Sequence, residues 1–179
     1  MAAVDPVDVQ LHLVHDCLRA CVYADHIARR GRPETAWLSL SDVLYAEAVI
    51  CWNGLFGSYG QPSHWTQLTE RLPVLDESNL RPFSAEIITE HLEVSTAEWG
   101  QYHRAMMDAR NDWLAHFNWK AGVISPPSLS WAFQSACLYR TWILSLLQEY
   151  RAQGVDIEIT ETTSRDVADQ FRGQIAEIC

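Results

Sequence analysis

Lysine is almost missing from this chain: Lys120 is the only one in 179 residues, and 13 lysines and arginines together face 23 acidic residues for a formal charge of −10. Affinity for polyphosphates comes largely from cations that neutralise phosphates, so this composition weighs against a promiscuous nucleic-acid binder. It leaves room for a local basic patch, as between positions 104 and 120, where Arg104, Arg110 and Lys120 lie. Long apolar runs are also lacking. No stretch approaches the roughly 18 residues of a membrane span, and Asp5 and Asp8 stand where a secretory leader would be basic and then apolar. Neither a membrane partner nor export is expected. The five cysteines, Cys17, Cys21, Cys51, Cys137 and Cys179, are odd in number, scattered and without a CxxC knuckle. That excludes a disulfide framework and a zinc site, and it fits small buried apolar residues in a reducing cytoplasm. No GxGxxG, P-loop or nucleophile elbow occurs, so nucleotide-cofactor and hydrolase readings have no support. The glycine-bearing segment Gly54 to Gly60 lacks the P-loop lysine and reads as a helix stop. His12 and His15, three apart, have no third ligand beside them, and neither a metal nor a cofactor is expected.

What is present reads as a folded all-α protein. Hydrophobic residues make up 48% and charged residues 20%, close to soluble averages, and the length suits one domain over residues 1–179. Asp5-Pro6 starts a helix carried by Val9, Val14, Leu18, Val22 and Ile27 to Arg30, where Gly31-Arg32-Pro33 ends it. Trp37, Leu40, Val43, Leu44, Ala48, Cys51 and Leu55 give a second helix closing near Gly57. It is apolar around most of its circumference, which places it at a bundle centre or in a dimer seam. Ser63 is expected to cap a short helix through Leu72, and Ser84 to begin another. Ser95-Thr96-Ala97-Glu98 is a capping box that starts a helix reaching about His116. Ser128 caps a long helix from Leu129 to about Gln153, stopped by Gly154. Ile157 to Thr160 alternates like a short strand, and Ser164 begins a terminal amphipathic helix. Residues 155–179 are read as an extension packed on a bundle of about five to seven helices.

One segment proposes a chemistry: Arg110-Asn111-Asp112-Trp113-Leu114-Ala115-His116, an arginine and a histidine with five residues between them. Metal-independent RNA cleavage needs an imidazole that moves protons near neutral pH and a permanent cation for the charge of the transition state. Spacing alone is not selective, because composition supplies about 1.4 such pairings by chance and Arg19 with His26 is one of them. On an ideal helix Arg110 and His116 lie about 120° apart around the axis and about 9 Å along it. Their convergence therefore needs a loosened last turn or a second subunit. Asp112, four residues before His116, is in reach of its ring and would raise its pKa.

Arg110 to His116, with Ala115-His116-Phe117, and upstream Leu55-Phe56-Gly57-Ser58 and His64-Trp65, resemble the HEPN superfamily and within it the abortive-infection (U-type) branch of bacterial defence proteins. The resemblance spans roughly residues 40–142. It implies an all-α HEPN-like bundle that dimerises, sets two Arg/His motifs near each other and cuts RNA, structured or transfer RNA among the substrates. Arg110 then matches the family arginine, Asn111 the polar residue after it and His116 the family histidine, and these three are the candidate catalytic residues. Asp112 and Trp113 depart from the pattern, and the lost positive charge bears on RNA affinity more than on chemistry. The resemblance also implies a toxin–antitoxin or phage-defence setting, with an antitoxin or nucleotidyltransferase-like partner. A non-catalytic HEPN-like binding module of a defence operon is the alternative. A plainer reading also stands: Arg110 pairs with Asp108 or a neighbouring carboxylate, and His116 is a helix C-terminal residue favoured by the macrodipole. Trp113 and Trp119, flanking His116, are candidates to stack an unpaired base, although tryptophans at helical spacing more often fill a core.

Overall fold

Local capping chemistry decides where most of the helices begin. The computed structural model describes residues 6–30, 35–71, 78, 80–115, 127–154 and 164–178. Within them run α1 (Pro6–Arg30), α2 (Thr35–Phe56), α3 (Trp65–Arg71), α4 (Ala85–Leu92), α5 (Thr96–Asp108), α6 (Leu129–Ala152) and α7 (Ser164–Ile178), and α5 continues as a π-helix over Ala109–Ala115. No strand occurs among the described residues, so the all-α expectation holds. The alternating segment Ile157 to Thr160 and the Asp5 cap lie outside them. Ser95 makes the reciprocal box foreseen for it: its side chain accepts from the Glu98 amide, and the Glu98 carboxylate accepts from the Ser95 amide at 2.8 Å. Ser128 caps α6 by accepting from the Ser130 amide at 3.2 Å, and Gly154 takes φ +81° just past its end.

Ser63 does not cap α3. Its hydroxyl turns back to donate to the Gly54 carbonyl at 2.8 Å, and the neighbouring His64 takes the cap position instead, its Nδ1 accepting from the Thr66 amide at 3.3 Å. An imidazole nitrogen here does what a serine oxygen usually does, satisfying one of the orphan amides of the first turn.

α1 packs most extensively on α2, then on α6 and α7. Val14, Cys17, Leu18 and Cys21 from α1 meet Ala48, Val49, Trp52 and Leu55 from α2 and Tyr139, Ile143 and Leu147 from α6. Trp52 is fully buried among Phe56, Trp99, Tyr102 and His103, all with ring centroids within 5.9 Å. Its indole N–H donates to Ser135 Oγ at 3.0 Å, so the largest core side chain leaves no orphan donor. α7 lies against α1, where Phe171 sits edge-on to His15 and Tyr23 and the Tyr23 hydroxyl donates to Gln174 at 3.0 Å. Cys17, Cys21 and Cys51 are buried free thiols and Cys137 is half-buried. Burial pushes the Cys51 thiol up to about 12 and the Cys137 thiol up to about 11, which leaves both inert near neutral pH.

α2 is double-sided. Its C-terminal half supplies most of the core residues, but Leu40, Val43 and Ile50 are 40–63% exposed and share the outward face as an apolar ridge, while Leu38 is exposed nearer the start of the helix on another side. No helix among the described residues is long and apolar enough to cross a membrane.

Candidate functional site

The end of α5 carries the motif, and its backbone is not regular there. The α-ladder gives way to π-helix at Ala109. At that point a side chain from another element enters: Asn53, fully buried on α2, donates through Nδ2 to the Met106 carbonyl at 2.9 Å and to its own Val49 carbonyl at 2.9 Å. A donor that occupies the Met106 oxygen competes with the i+4 amide for it, and insertion of a side chain into the ladder is a known cause of such widening. π-Turns of this kind often coincide with functional positions.

Arg110 is the second residue of the π-helix and is half-buried. With the Gln61 amide oriented to satisfy both neighbours, its oxygen accepts from Arg110 Nη1 at 3.2 Å and its nitrogen donates to the Asn53 carbonyl at 2.7 Å. The partner of the guanidinium is thus a neutral amide, and among the described residues neither Asp108 nor another carboxylate, the partners of the plainer reading, pairs with it. A neutral partner orients the cation without neutralising it, which suits a group that is to meet an anion.

The loop that supplies Gln61 is built for a close approach. Gly57 ends α2, and its amide donates to the Asn53 carbonyl at 2.9 Å. A Cβ at this position would lie 2.5 Å from that same oxygen, so no larger residue fits without moving backbone. Two tight turns follow, Gln61 N–H to Ser58 O and His64 N–H to Gln61 O, each at 3.0 Å. They fold residues 58–64 into a knot beside the motif helix. His64 is 1% exposed beneath it, between the rings of Tyr59 and Trp65. The Phe56 carbonyl at the end of α2 accepts from His103 Nε2 at 2.6 Å and also faces His64. Burial first, and the charge of nearby His103 second, push the His64 pKa down to about 4, against the opposing pull of the Phe56 carbonyl. His64 is therefore a neutral structural imidazole at physiological pH.

Of the three residues the sequence nominated, Arg110 lies in this cluster, Asn111 is exposed on the π-helix, and His116 lies outside the described residues, as do Trp119 and Lys120. The Asp112 to His116 contact falls outside them for the same reason. What the structure brings together around Arg110 is Gln61 and Asn53, with His64 and His103 at the base of the same loop. Sequence reasoning did not nominate Asn53, Gln61 or His103. Two signals were available: Asn53 is an amide within the otherwise apolar run Ala48 to Phe56, and His103, Met106 and Arg110 share one helical stripe.

His12 binds its own helix backbone, Nδ1 to the Asp8 carbonyl at 2.8 Å, and His15 lies against Asp16 and Phe171. Among the described residues no group of three or more His, Cys, Asp or Glu side chains gathers as metal ligands. Comparison of the chain with protein-family models, with curated proteins and with solved structures gave no match.

Proposed function

We propose that this protein is a metal-independent endoribonuclease of the HEPN type, a homodimer working in the cytoplasm in a toxin–antitoxin or phage-defence system, with Arg110 and His116 catalytic and Asn111 supporting. The observation that carries the reading is Arg110 itself. It stands on a π-turn and is oriented by an uncharged amide, with no carboxylate paired to it among the described residues. In the reaction, one His116 takes the proton of a ribose 2′-hydroxyl. The 2′-oxygen attacks the adjacent phosphorus, and the 5′-oxygen leaves with a proton donated by His116 of the second copy. Arg110 binds the non-bridging oxygens and offsets the charge that builds on them. The products are a 2′,3′-cyclic phosphate, which can open to a 3′-phosphate, and a 5′-hydroxyl.

The exposed apolar ridge of α2 supports the dimer that such a composite site requires. The net charge of −10 favours a second reading, a non-catalytic binding module. The two part in one assay: purified protein on labelled total and transfer RNA in EDTA, wild type beside Arg110→Ala and His116→Ala. Cutting by the wild type that falls at least about 100-fold in both variants is expected. No cutting by folded wild type would favour the module, and equal cutting by all three would remove the motif from the chemistry.

A further inference from the structure

Among the described residues, the loop that contacts Arg110 also presents the most exposed of the large hydrophobic side chains, and it is aromatic. Tyr59 is 67% exposed, whereas the others of this kind are aliphatic residues on α1 and α2. Its ring is not loose on the surface. It lies over the His64 ring with centroids 4.8 Å apart and planes at 52°, and His64 is itself fixed by Thr66 and packed on Trp65. The inner face of Tyr59 is thus occupied while the outer part of the ring stays open to solvent. Two residues further on, Gln61 contacts Arg110. The turn from Ser58 to Gln61 and the turn from Gln61 to His64 share that glutamine, so the pair of turns that carries the aromatic ring also meets the guanidinium of the π-helix.

A solvent-facing ring and an oriented cation, both tied to one pair of turns through His64 and Gln61, match the two parts of a nucleotide that a protein can hold without reading its sequence. The base offers a π-face and the phosphate a charge. A base inside a duplex cannot present its face, so the ligand must be unpaired. We propose that Tyr59 and Arg110 form a subsite for one unpaired nucleotide of single-stranded RNA, the Tyr59 ring stacking on the base while the guanidinium holds its phosphate. This rests on the RNA reading of the Arg110 motif and adds to it the class of substrate: a loop, bulge or single-stranded end. It also lets an acidic protein bind RNA through stacking where lysines are scarce.

The test uses His116→Ala protein, to prevent cutting, titrated with a six-nucleotide single-stranded RNA carrying 2-aminopurine, and with the same sequence as a blunt duplex. Adding Tyr59→Ala or Tyr59→Leu is expected to weaken single-strand binding by about 5- to 100-fold, whereas Tyr59→Phe and Tyr59→Trp hold it within about threefold. Duplex binding is expected to change by less than about twofold in all of them. Single-strand affinity of Tyr59→Ala within about twofold of the parent overturns the subsite, as does absence of any single-strand binding by the parent. Tyr59-dependent binding by a wild type that never cuts would keep the subsite and overturn the nuclease. Cutting by a Tyr59→Ala protein with an unchanged KM would do the reverse.

Discussion

His64 serves as the cap of α3, as a packing partner of Tyr59 and as a neighbour of His103; the cap, which needs Nδ1 as an acceptor, and the nearness of His103 favour it uncharged. Its folded pKa of about 4 lies below the ordinary 6.5, so folding favours the neutral form. The unfolded chain takes up a proton as pH falls through 6.5, and the folded chain does not until about 4. The His64 contribution is therefore whole above pH 6.5 and lost as pH falls from 6.5 towards 4, at most about 3 kcal/mol. His64→Asn keeps an acceptor for the Thr66 amide but does not titrate. Urea unfolding between pH 7.5 and 4 should show the stability gap between wild type and His64→Asn narrowing on acidification, and a constant gap would contradict the assignment. None of this is legible from a histidine in the sequence, because the shift comes from burial and from a residue on another helix.

At the scale of elements, starts were far easier to read than the irregularity inside α5. Ser95 and Ser128 each cap the start the sequence assigned, because capping is a transaction among residues two to four apart, and α7 begins at Ser164 as expected. The cap of α3 was misassigned by one residue, since the Ser63 hydroxyl had a better partner in the Gly54 carbonyl. The π-turn could not be read from its own residues. Its cause is Asn53, 53 positions before the Met106 carbonyl that it reaches. Asn53→Ala should remove both of its hydrogen bonds and leave the Met106 carbonyl to the helix ladder. The expected cost is about 1–3 kcal/mol in urea unfolding, with the amides of Arg110 and Asn111 shifting in a nitrogen–proton spectrum towards regular helix. Unshifted amides would mean that the π-turn stands without Asn53.

For the molecule as a whole, the all-α class followed from apolar periodicity, and the doubled character of α2 was visible as a helix apolar on nearly every side. One half of that pattern is explained by the core around Trp52, Leu55 and Phe56, and the other half is the exposed ridge of Leu40, Val43 and Ile50. If that ridge is the seam between two copies, Val43→Glu placed at its centre should convert a dimer to a folded monomer in sedimentation velocity at tens of micromolar, with helicity unchanged. Two charges facing each other across an apolar seam cost several kcal/mol, enough to shift the association by orders of magnitude. A wild type that sediments as a monomer would leave the ridge unexplained and take the composite site with it.

The ring of aromatics around Trp52 has an optical consequence. An indole within 5.9 Å of a second indole, inclined at 66°, and 5.7 Å from a phenol nearly perpendicular to it, shares its excited state with both. Such coupling contributes to near-ultraviolet circular dichroism and weakens steeply as the partners separate. Trp52 belongs to α2, Trp99 and Tyr102 to α5, and Asn53 is the next residue along α2. The protein thus carries a native chromophore pair at the joint that seats Asn53 against the motif helix, and its ellipticity reads the assembly of the Arg110 site without any label.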